Sequence, residues 1–182
     1  MTLSNEDRQQ LLDLARRSVE AAVARRPRPM ITGLDGVLAE KRGCFVTLTN
    51  KGRLRGCIGT FEPRGPLGEM IIEMGTAATR DPRFTMDPIT AGELENLTIE
   101  VSVLTPLTKT DTPEQLTVGE DGIYIVGRGR SGCFLPEVAT DQGWDAEEFL
   151  DYCCAHKAGL PVGAWREPDV EVYLFQSEKF SE

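Results

Sequence analysis

Arg53–Thr60, with the sequence Arg-Leu-Arg-Gly-Cys-Ile-Gly-Thr, follows an alternating apolar segment at residues 44–49 and the turn Asn50-Lys51-Gly52. Because Asn and Gly tolerate positive φ angles, this pattern predicts a β-hairpin. Successive side chains of a strand point to opposite faces. Alternation therefore predicts a core face with Leu54, Gly56 and Ile58, and a polar face with Arg53, Arg55, Cys57 and Gly59.

Cys57 is the candidate nucleophile of this strand. It lies two residues from Arg55 and between Gly56 and Gly59. Nearby positive charge favours a thiolate, and glycines allow another backbone or a ligand to approach closely. The alternative is a cysteine that only packs in the core, which is the commoner situation for cysteine. The Arg and Gly neighbours favour the functional interpretation, whereas nothing in the spacing supports a Cys57–His156 nucleophile pair.

The composition argues against several classes of protein. The chain has 182 residues, enough for one domain or two closely joined lobes. Its net charge of −9 disfavours a nonspecific nucleic-acid binder, which would usually be basic. No stretch approaches the roughly 20 apolar residues of a membrane helix, and the acidic N-terminus lacks the apolar segment of a signal peptide. Five cysteines without disulfide-like spacing fit a reducing cytoplasm, and a single His argues against a metal site.

Hydrophobic periodicity predicts the other elements. Ser4 and Asp7 resemble a capping box before an amphipathic helix at residues 6–24, and a basic, proline-containing linker follows at 25–29. A second helix is predicted from Pro66 to Thr79. Further elements are predicted along the rest of the chain: a short helix opened by a capping box of Thr90 and Glu93, a strand at 97–104, a strand at 123–126, a helix at 145–158 and a strand at 170–175.

Charged residues outside the hairpin are further candidates for a site. Asp81 and Arg83 lie in the segment Arg-Asp-Pro-Arg-Phe after the second helix. Its arginines either complement the helix dipole or join Arg55 in a cationic pocket for a carboxylate or phosphate. Glu100 would reach Arg55 or Cys57 if its strand pairs nearby. It is then either half of an ordinary cross-strand ion pair, the commoner case, or a general acid or base beside the thiol.

Residues 127–132, Gly-Arg-Gly-Arg-Ser-Gly, match G-x-G-x-x-G after a strand. The dinucleotide fingerprint also requires a helix to begin there, whereas Cys133-Phe134-Leu135-Pro136 is typical of another strand. The sequence therefore predicts a hairpin turn and no nucleotide cofactor. Because Arg55-Gly56-Cys57 and Arg130-Ser131-Gly132-Cys133 each follow a strand and a glycine turn, the two segments indicate a duplicated hairpin unit.

Six motifs occur in a fixed order: Leu54-Arg55-Gly56-Cys57-Ile58-Gly59, Asp81-Pro82-Arg83-Phe84, Glu100-Val101-Ser102-Val103-Leu104, Leu135-Pro136-Glu137-Val138-Ala139, Gly143-Trp144 and Lys157-Ala158-Gly159-Leu160. The set resembles the AMMECR domain family, whose prokaryotic members are also called AmmeMemoRadiSam system protein A. The resemblance covers residues 43–180 and implies a single AMMECR-type domain over residues 1–182. It implies an α+β fold of two intertwined lobes, with mostly antiparallel sheet and flanking helices.

The resemblance also implies a cleft between the lobes, in which the hallmark residues lie. Carried over to this chain, it places Arg55, Cys57, Asp81, Arg83 and Glu100 near that cleft. If the chain is an enzyme, the catalytic candidates are Cys57, as the reactive thiol, and Glu100, as the group that handles protons. Five residues become candidates for substrate binding: Arg55, Gly56, Gly59, Asp81 and Arg83. No metal or cofactor is expected.

The family implies partners without implying a reaction. Its bacterial and archaeal members occur with a Memo-type protein and a radical-SAM protein, so a shared modification pathway is expected. Three hypotheses stay open. The chain is an enzyme, or the substrate-binding component of one, acting on a small anionic substrate or a peptide; it is a non-catalytic adaptor; or it is an RNA-modification factor, which ranks last because of the negative net charge.

Overall fold

The structure is a computed structural model that describes residues 3–182, and it confirms the α+β class. The chain divides into two compact units. The first runs to Leu104 and includes Glu178–Glu182, and the second is Thr105–Ser177. The chain therefore returns to the first unit after it has completed the second. Among the described residues, no helix is long and apolar enough to cross a membrane.

Each unit contains helices and one four-stranded sheet. The helices are α1 (Asn5–Val23), α2 (Leu67–Ala78), α3 (Pro136–Gln142) and α4 (Ala146–Cys153), which the π-helical segment Cys154–Ala158 continues. The strands are β1 (Cys44–Asn50), β2 (Arg53–Thr60), β3 (Leu97–Leu104), β4 (Thr108–Thr110), β5 (Gly122–Gly127), β6 (Arg130–Phe134), β7 (Val170–Phe175) and β8 (Ser177–Ser181). Two short 3-10 helices, Pro82–Phe84 and Ala91–Asn96, lie between α2 and β3.

In the first unit, α1 and α2 pack on one face of a sheet with the order β2-β1-β3-β8. Val46, Ile99 and Val101 are fully buried in this core, so the alternation predicted for β1 and β3 is confirmed. The capping box predicted between Ser4 and Asp7 opens α1. It satisfies N–H groups that the first turn of a helix leaves without intrahelical partners.

Both predicted hairpins are present, and both have two-residue turns. The turn between β1 and β2 has positive φ at Lys51 (50°) and Gly52 (79°), and the turn between β5 and β6 has positive φ at Arg128 (52°) and Gly129 (72°). Positive φ at both central residues gives a turn whose twist matches that of the flanking strands. The glycine-rich segment after β5 therefore reverses the chain, as predicted, and opens no helix.

One residue of β2 departs from simple alternation. The pairing register shifts between Leu48 and Thr49, so Arg55 is an extra residue and Leu54 pairs with Thr49. Directly opposite residues of an antiparallel pair point to the same face. Leu54 therefore lies on the face of Cys57 and not on the core face that alternation predicted, because a bulge resets the alternation of a strand.

In the second unit, the sheet order is β4-β7-β5-β6. Ile123 and Ile125 of β5 are fully buried in one apolar cluster with Phe149 and Leu150 of α4. The strand predicted through Pro136 is too long, since β6 ends at Phe134 and Pro136 begins α3. Proline suits the first position of a helix because its missing N–H has no partner to lose there.

The pairing registers confirm the duplicated hairpin unit. Leu48 of β1 pairs with Gly56 of β2, and Ile125 of β5 pairs with Gly132 of β6. A cysteine follows the glycine in each case. In both units a helix follows the hairpin, and the next strand pairs with the first strand of the hairpin.

Candidate functional site

Cys57 lies in β2, at the edge of the first unit's sheet. Its side chain is half-buried, and Thr47 Oγ1 donates a hydrogen bond to its Sγ at 3.2 Å. Thr47 is its direct partner in β1, so both side chains point to the same face of the sheet. The thiol is therefore not sealed in the apolar core, and a hydroxyl group contacts the sulfur atom.

Asp81 connects Cys57 to the turn that follows α2. The Asp81 side chain is only 1% exposed, and its Oδ2 accepts a hydrogen bond from the Cys57 N–H at 2.9 Å. The same carboxylate accepts hydrogen bonds from Arg83 Nη2 at 2.6 Å and from the Arg83 backbone N–H at 3.0 Å. The bonds from the Arg83 side chain are the main cause that holds the pKa of Asp81 below its usual value, against the opposing effect of burial. Asp81 thus fixes Arg83 beside Cys57.

Arg83 is the exposed cation of this group. Its side chain is 57% exposed, and its Nη2 also donates to the Cys57 carbonyl oxygen at 3.3 Å. The hydrogen bond to Asp81 is the main cause that raises the pKa of Arg83, and the charge of Cys57 adds a smaller contribution. Nη1 makes no hydrogen bond to any residue that the structure describes. Arg83 therefore offers a free donor next to the Cys57 backbone.

Arg55 has different surroundings from those expected of a substrate-binding residue. It is 3% exposed, and all three guanidinium nitrogens donate to Glu93 or Asp87, with Nε–Glu93 and Nη1–Asp87 distances of 2.9 Å. Arg55 is the main cause that lowers the pKa of Glu93 to about 2. Glu93 also closes the predicted capping box with Thr90. Arg55 thus fastens the segment after α2 to the hairpin, and a ligand would have to displace two carboxylates to reach it.

Glu100 shares a row with Cys57 but does not contact it. Thr47 pairs with Cys57 on one side and with Glu100 on the other, so two strand spacings, roughly 10 Å, separate them. The Glu100 carboxylate lies 3.5 Å from Nζ of Lys179 in β8. Direct proton transfer between Glu100 and the thiol does not fit this geometry. An ion pair, the commoner interpretation of Glu100 from the sequence, is present, although its partner is Lys179.

Both glycines beside Cys57 make room for the chain itself. A Cβ atom on Gly56 would lie 2.1 Å from the carbonyl oxygen of Ala78 at the end of α2. One on Gly59 would lie 2.2 Å from the ring of Phe45. Real side chains do not make such short contacts, so glycine is needed for the helix end and the ring to approach β2. These contacts account for both glycines without a ligand.

The other cysteines and the histidine have unrelated surroundings. Cys44, Cys153 and Cys154 are fully buried, and burial raises the pKa of the Cys44 thiol to about 12. His156 stacks on Tyr152 with ring centroids 5.6 Å apart. Within residues 3–182, no group of three or more His, Cys, Asp or Glu side chains is placed to hold a metal ion.

Two cavities of the first unit lie at the segment that follows the linker. One, of about 390 Å³, is lined by Met30, Leu34 and residues of α2, among them Glu69. The other, of about 440 Å³, is lined by Met30, Ile31 and residues of α1. Neither lining includes a cysteine or a histidine. The chemistry therefore favours the surroundings of Cys57 as the candidate site.

Sequence reasoning missed three residues that contact the candidate site residues, namely Thr47, Asp87 and Glu93. Glu93 was identified only as a helix cap, and nothing in its spacing relates it to Arg55, 38 positions away. The alternating pattern of β1 places Thr47 on the outer face of the strand, but the pairing of Thr47 with Cys57 depends on the bulge at Arg55.

The chain is similar to archaeal proteins over most of its length. The family model described as AMMECR1 matches residues 12–180. A protein of Methanothermobacter thermautotrophicus is 42% identical over 188 residues, which cover 99% of this chain and 96% of the relative. A protein of Methanopyrus kandleri is 47% identical, with 80% and 73% covered. The crystal structure of the uncharacterized protein PH0010 from Pyrococcus horikoshii matches with a TM-score of 0.83 and 38% identity, over 94% of this chain and 89% of that one.

Proposed function

We propose that this chain, which belongs to the AMMECR1 family, uses Cys57 as a reactive thiol toward a small substrate or peptide whose carboxylate or phosphate group Arg83 holds. The observation that carries the proposal is the Asp81 carboxylate, which binds the Cys57 N–H at 2.9 Å and Arg83 Nη2 at 2.6 Å. One buried anion thereby positions a cation beside a half-buried thiol. Such a pair suits a nucleophile and the anionic group of its substrate.

An anionic ligand fits Arg83 better than a neutral one. A guanidinium presents its donors in a planar fork that matches carboxylate and phosphate groups. Asp81 uses Nε and Nη2, which leaves Nη1 for a ligand. The Arg83 side chain is 57% exposed, so a ligand reaches it without unfolding the turn.

The other candidate residues support this pair in different ways. Asp81 orients Arg83 and the Cys57 backbone, and Arg55 keeps the segment after α2 attached to β2 through Glu93. Gly56 lets the end of α2 reach β2. Gly59 leaves space for the Phe45 ring of β1. Glu100 does not accept a proton from the thiol directly, since two strand spacings, roughly 10 Å, separate them.

The proposed setting is a cytoplasmic modification pathway shared with a Memo-type protein and a radical-SAM protein. The support for these partners is the resemblance to the family alone. The support for a reducing compartment is that all five cysteines are free thiols. The partners would supply or consume the substrate held at Cys57.

The test compares two alkylating reagents of nearly the same size, anionic iodoacetate and neutral iodoacetamide. Rates at Cys57 and at Cys133 are followed by peptide mapping, and Cys133 serves as the internal standard. The proposal predicts that the iodoacetate-to-iodoacetamide rate ratio is higher at Cys57 than at Cys133, and that Arg83→Met lowers it about fivefold, as expected for roughly 1 kcal/mol from a half-exposed charge. Arg80→Met is the matched control, because Arg80 is exposed on the same turn and its side chain makes no hydrogen bond or ion pair within residues 3–182.

If Cys57 is reactive but shows no preference for iodoacetate, Arg83 does not bind the anionic group of the substrate. A thiol at Cys57 that reacts no faster than Cys133 with either reagent would favour the second candidate, a non-catalytic adaptor. One observation favours that alternative: Met86, three residues after Arg83, is 98% exposed. An apolar side chain presented so fully to solvent suits contact with another protein.

A further inference from the structure

Thr47 is a site residue that the sequence did not suggest. Its Oγ1 lies 3.2 Å from Cys57 Sγ, and its position in β1 is directly opposite Cys57. Within the described part of the chain, this hydroxyl makes no other hydrogen bond. A threonine hydroxyl has one hydrogen to donate. The Cys57 sulfur is therefore the partner of this hydroxyl, and no backbone carbonyl takes its place.

We propose that Thr47 is a catalytic residue of this site, which donates its hydroxyl hydrogen to the sulfur of Cys57 and stabilises the thiolate; the inference rests on the proposed function of Cys57. A hydrogen bond to a charged acceptor is stronger than one to a neutral acceptor. The Thr47 hydroxyl thus stabilises the ionised sulfur more than the thiol, and the thiolate is the nucleophilic form.

The charged groups around the sulfur divide into two sets. Asp81 and Arg83 approach from the turn after α2, and their charges oppose each other. Glu100 lies on the far side of Thr47, where Lys179 pairs with it. Because these charges oppose each other in pairs, the Thr47 hydroxyl is the neutral donor that contacts the sulfur directly.

The second unit contains a natural comparison. Cys133 of β6 occupies the position equivalent to Cys57, and its partner in β5 is Tyr124 instead of a threonine. Burial raises the pKa of the Cys133 thiol, and Lys157 opposes this only in part. The duplicated hairpin thus presents two thiols at the same register, of which only Cys57 faces a threonine.

The test measures the rate at which iodoacetamide alkylates Cys57, relative to Cys133 in the same molecule, in three variants. In this reaction the thiolate attacks the methylene carbon and iodide leaves. Thr47→Val removes the hydroxyl with little change of shape, Thr47→Ser keeps it, and Thr49→Val changes the next residue on the same face of β1. At pH 7, Thr47→Val should lower the alkylation rate of Cys57 about threefold to tenfold, because the thiolate, a charged acceptor, loses a hydrogen bond. The greater intrinsic nucleophilicity of a more basic sulfur offsets part of this loss.

In Thr47→Ser and Thr49→Val, the alkylation rate of Cys57 should stay within about twofold of that in the unmodified chain. The slower rate of Thr47→Val should return to normal near pH 10, where thiols ionise in every variant. A structural defect would slow Cys57 at all pH values. If iodoacetamide alkylates Cys57 equally fast in Thr47→Val and in the unmodified chain, while Cys57 keeps its preference for iodoacetate, the inference fails and the proposed function stands. Equal slowing by Val and Ser also overturns the inference. A Cys57 that does not react in the unmodified chain overturns both.

Discussion

Gly56→Ala should destabilise the first unit, because the space beside Gly56 is occupied by backbone. The new Cβ atom would lie 2.1 Å from the carbonyl oxygen of Ala78 and 3.0 Å from its carbonyl carbon. A normal contact needs about 1 Å more, and neither a helix end nor a paired strand moves freely. Overpacking of this kind costs roughly 1–3 kcal/mol. Displacement of β2 would also strain the 2.9 Å bond between the Cys57 N–H and Asp81, so we expect a total of about 3 kcal/mol.

Urea unfolding followed by circular dichroism measures this loss, and a melting temperature lower by about 6–12 °C should accompany it. Gly92→Ala is the matched control, because nothing lies within 4 Å of the position that its Cβ atom would occupy and its φ is not in the left-handed region; its stability should change by less than about 0.5 kcal/mol. Gly132→Ala should repeat the loss in the second unit, since its Cβ would lie 2.2 Å from the Ala158 nitrogen. A Gly56→Ala chain of unchanged stability would refute the packing account and restore Gly56 as a place for a ligand.

Arg55→Met should lower the free energy of unfolding by about 2–3 kcal/mol, because it leaves a shielded carboxylate of Glu93 without its cation; a loss below about 0.5 kcal/mol in urea would contradict this. Acidification should destabilise the fold. The folded-state pKa of Glu93 is about 2, against a usual value of 4.5, and the pKa of Asp81 is also lowered. The unfolded chain therefore binds more protons than the folded chain, and stability is lost as the pH falls from about 4.5 toward 2. Glu93→Gln should flatten this pH dependence in urea titrations, and an unchanged slope would count against it. Cys153→Ser should cost roughly 1–3 kcal/mol, because a buried hydroxyl would lack a partner, whereas Cys57→Ser, on a half-buried position, should cost less; equal losses of melting temperature would contradict the distinction.

The hairpins and the helix starts could be predicted from the sequence because their causes are local. The turns at Lys51-Gly52 and Arg128-Gly129 need positive φ, and glycine at the second position of each provides it. The capping box at Ser4 likewise depends on a residue three positions away. In each case the physical reason lies within a few residues of the feature.

The surroundings of Cys57 could not be predicted in the same way. Without the bulge at Arg55, the two-residue turn would place Cys57 opposite Val46, whose side chain is fully buried. The bulge moves the pairing by one residue and brings Thr47 to the thiol. A bulge leaves no pattern in hydrophobicity, so alternation alone could not place this contact.

Long-range ion pairs could not be predicted from the sequence either. The sequence correctly grouped Asp81 and Arg83, which are two positions apart. One of its two interpretations joined Arg55 to that group, and folding brings Arg55 to Asp87 and Glu93. Burial of a guanidinium requires compensating carboxylates, but their positions along the chain are set by the loop between α2 and β3 and not by any local rule.

The most direct measurement of the central claim is a crystal structure of the protein soaked in phosphate, with an Arg83→Met crystal soaked in parallel. The account predicts a phosphate on the guanidinium of Arg83, with oxygen atoms at about 2.7–3.1 Å from its nitrogens and within reach of Cys57 Sγ, and no phosphate at this place in the variant. A phosphate-free Arg83 that stays closed on Asp81, or the same density in both crystals, would contradict it.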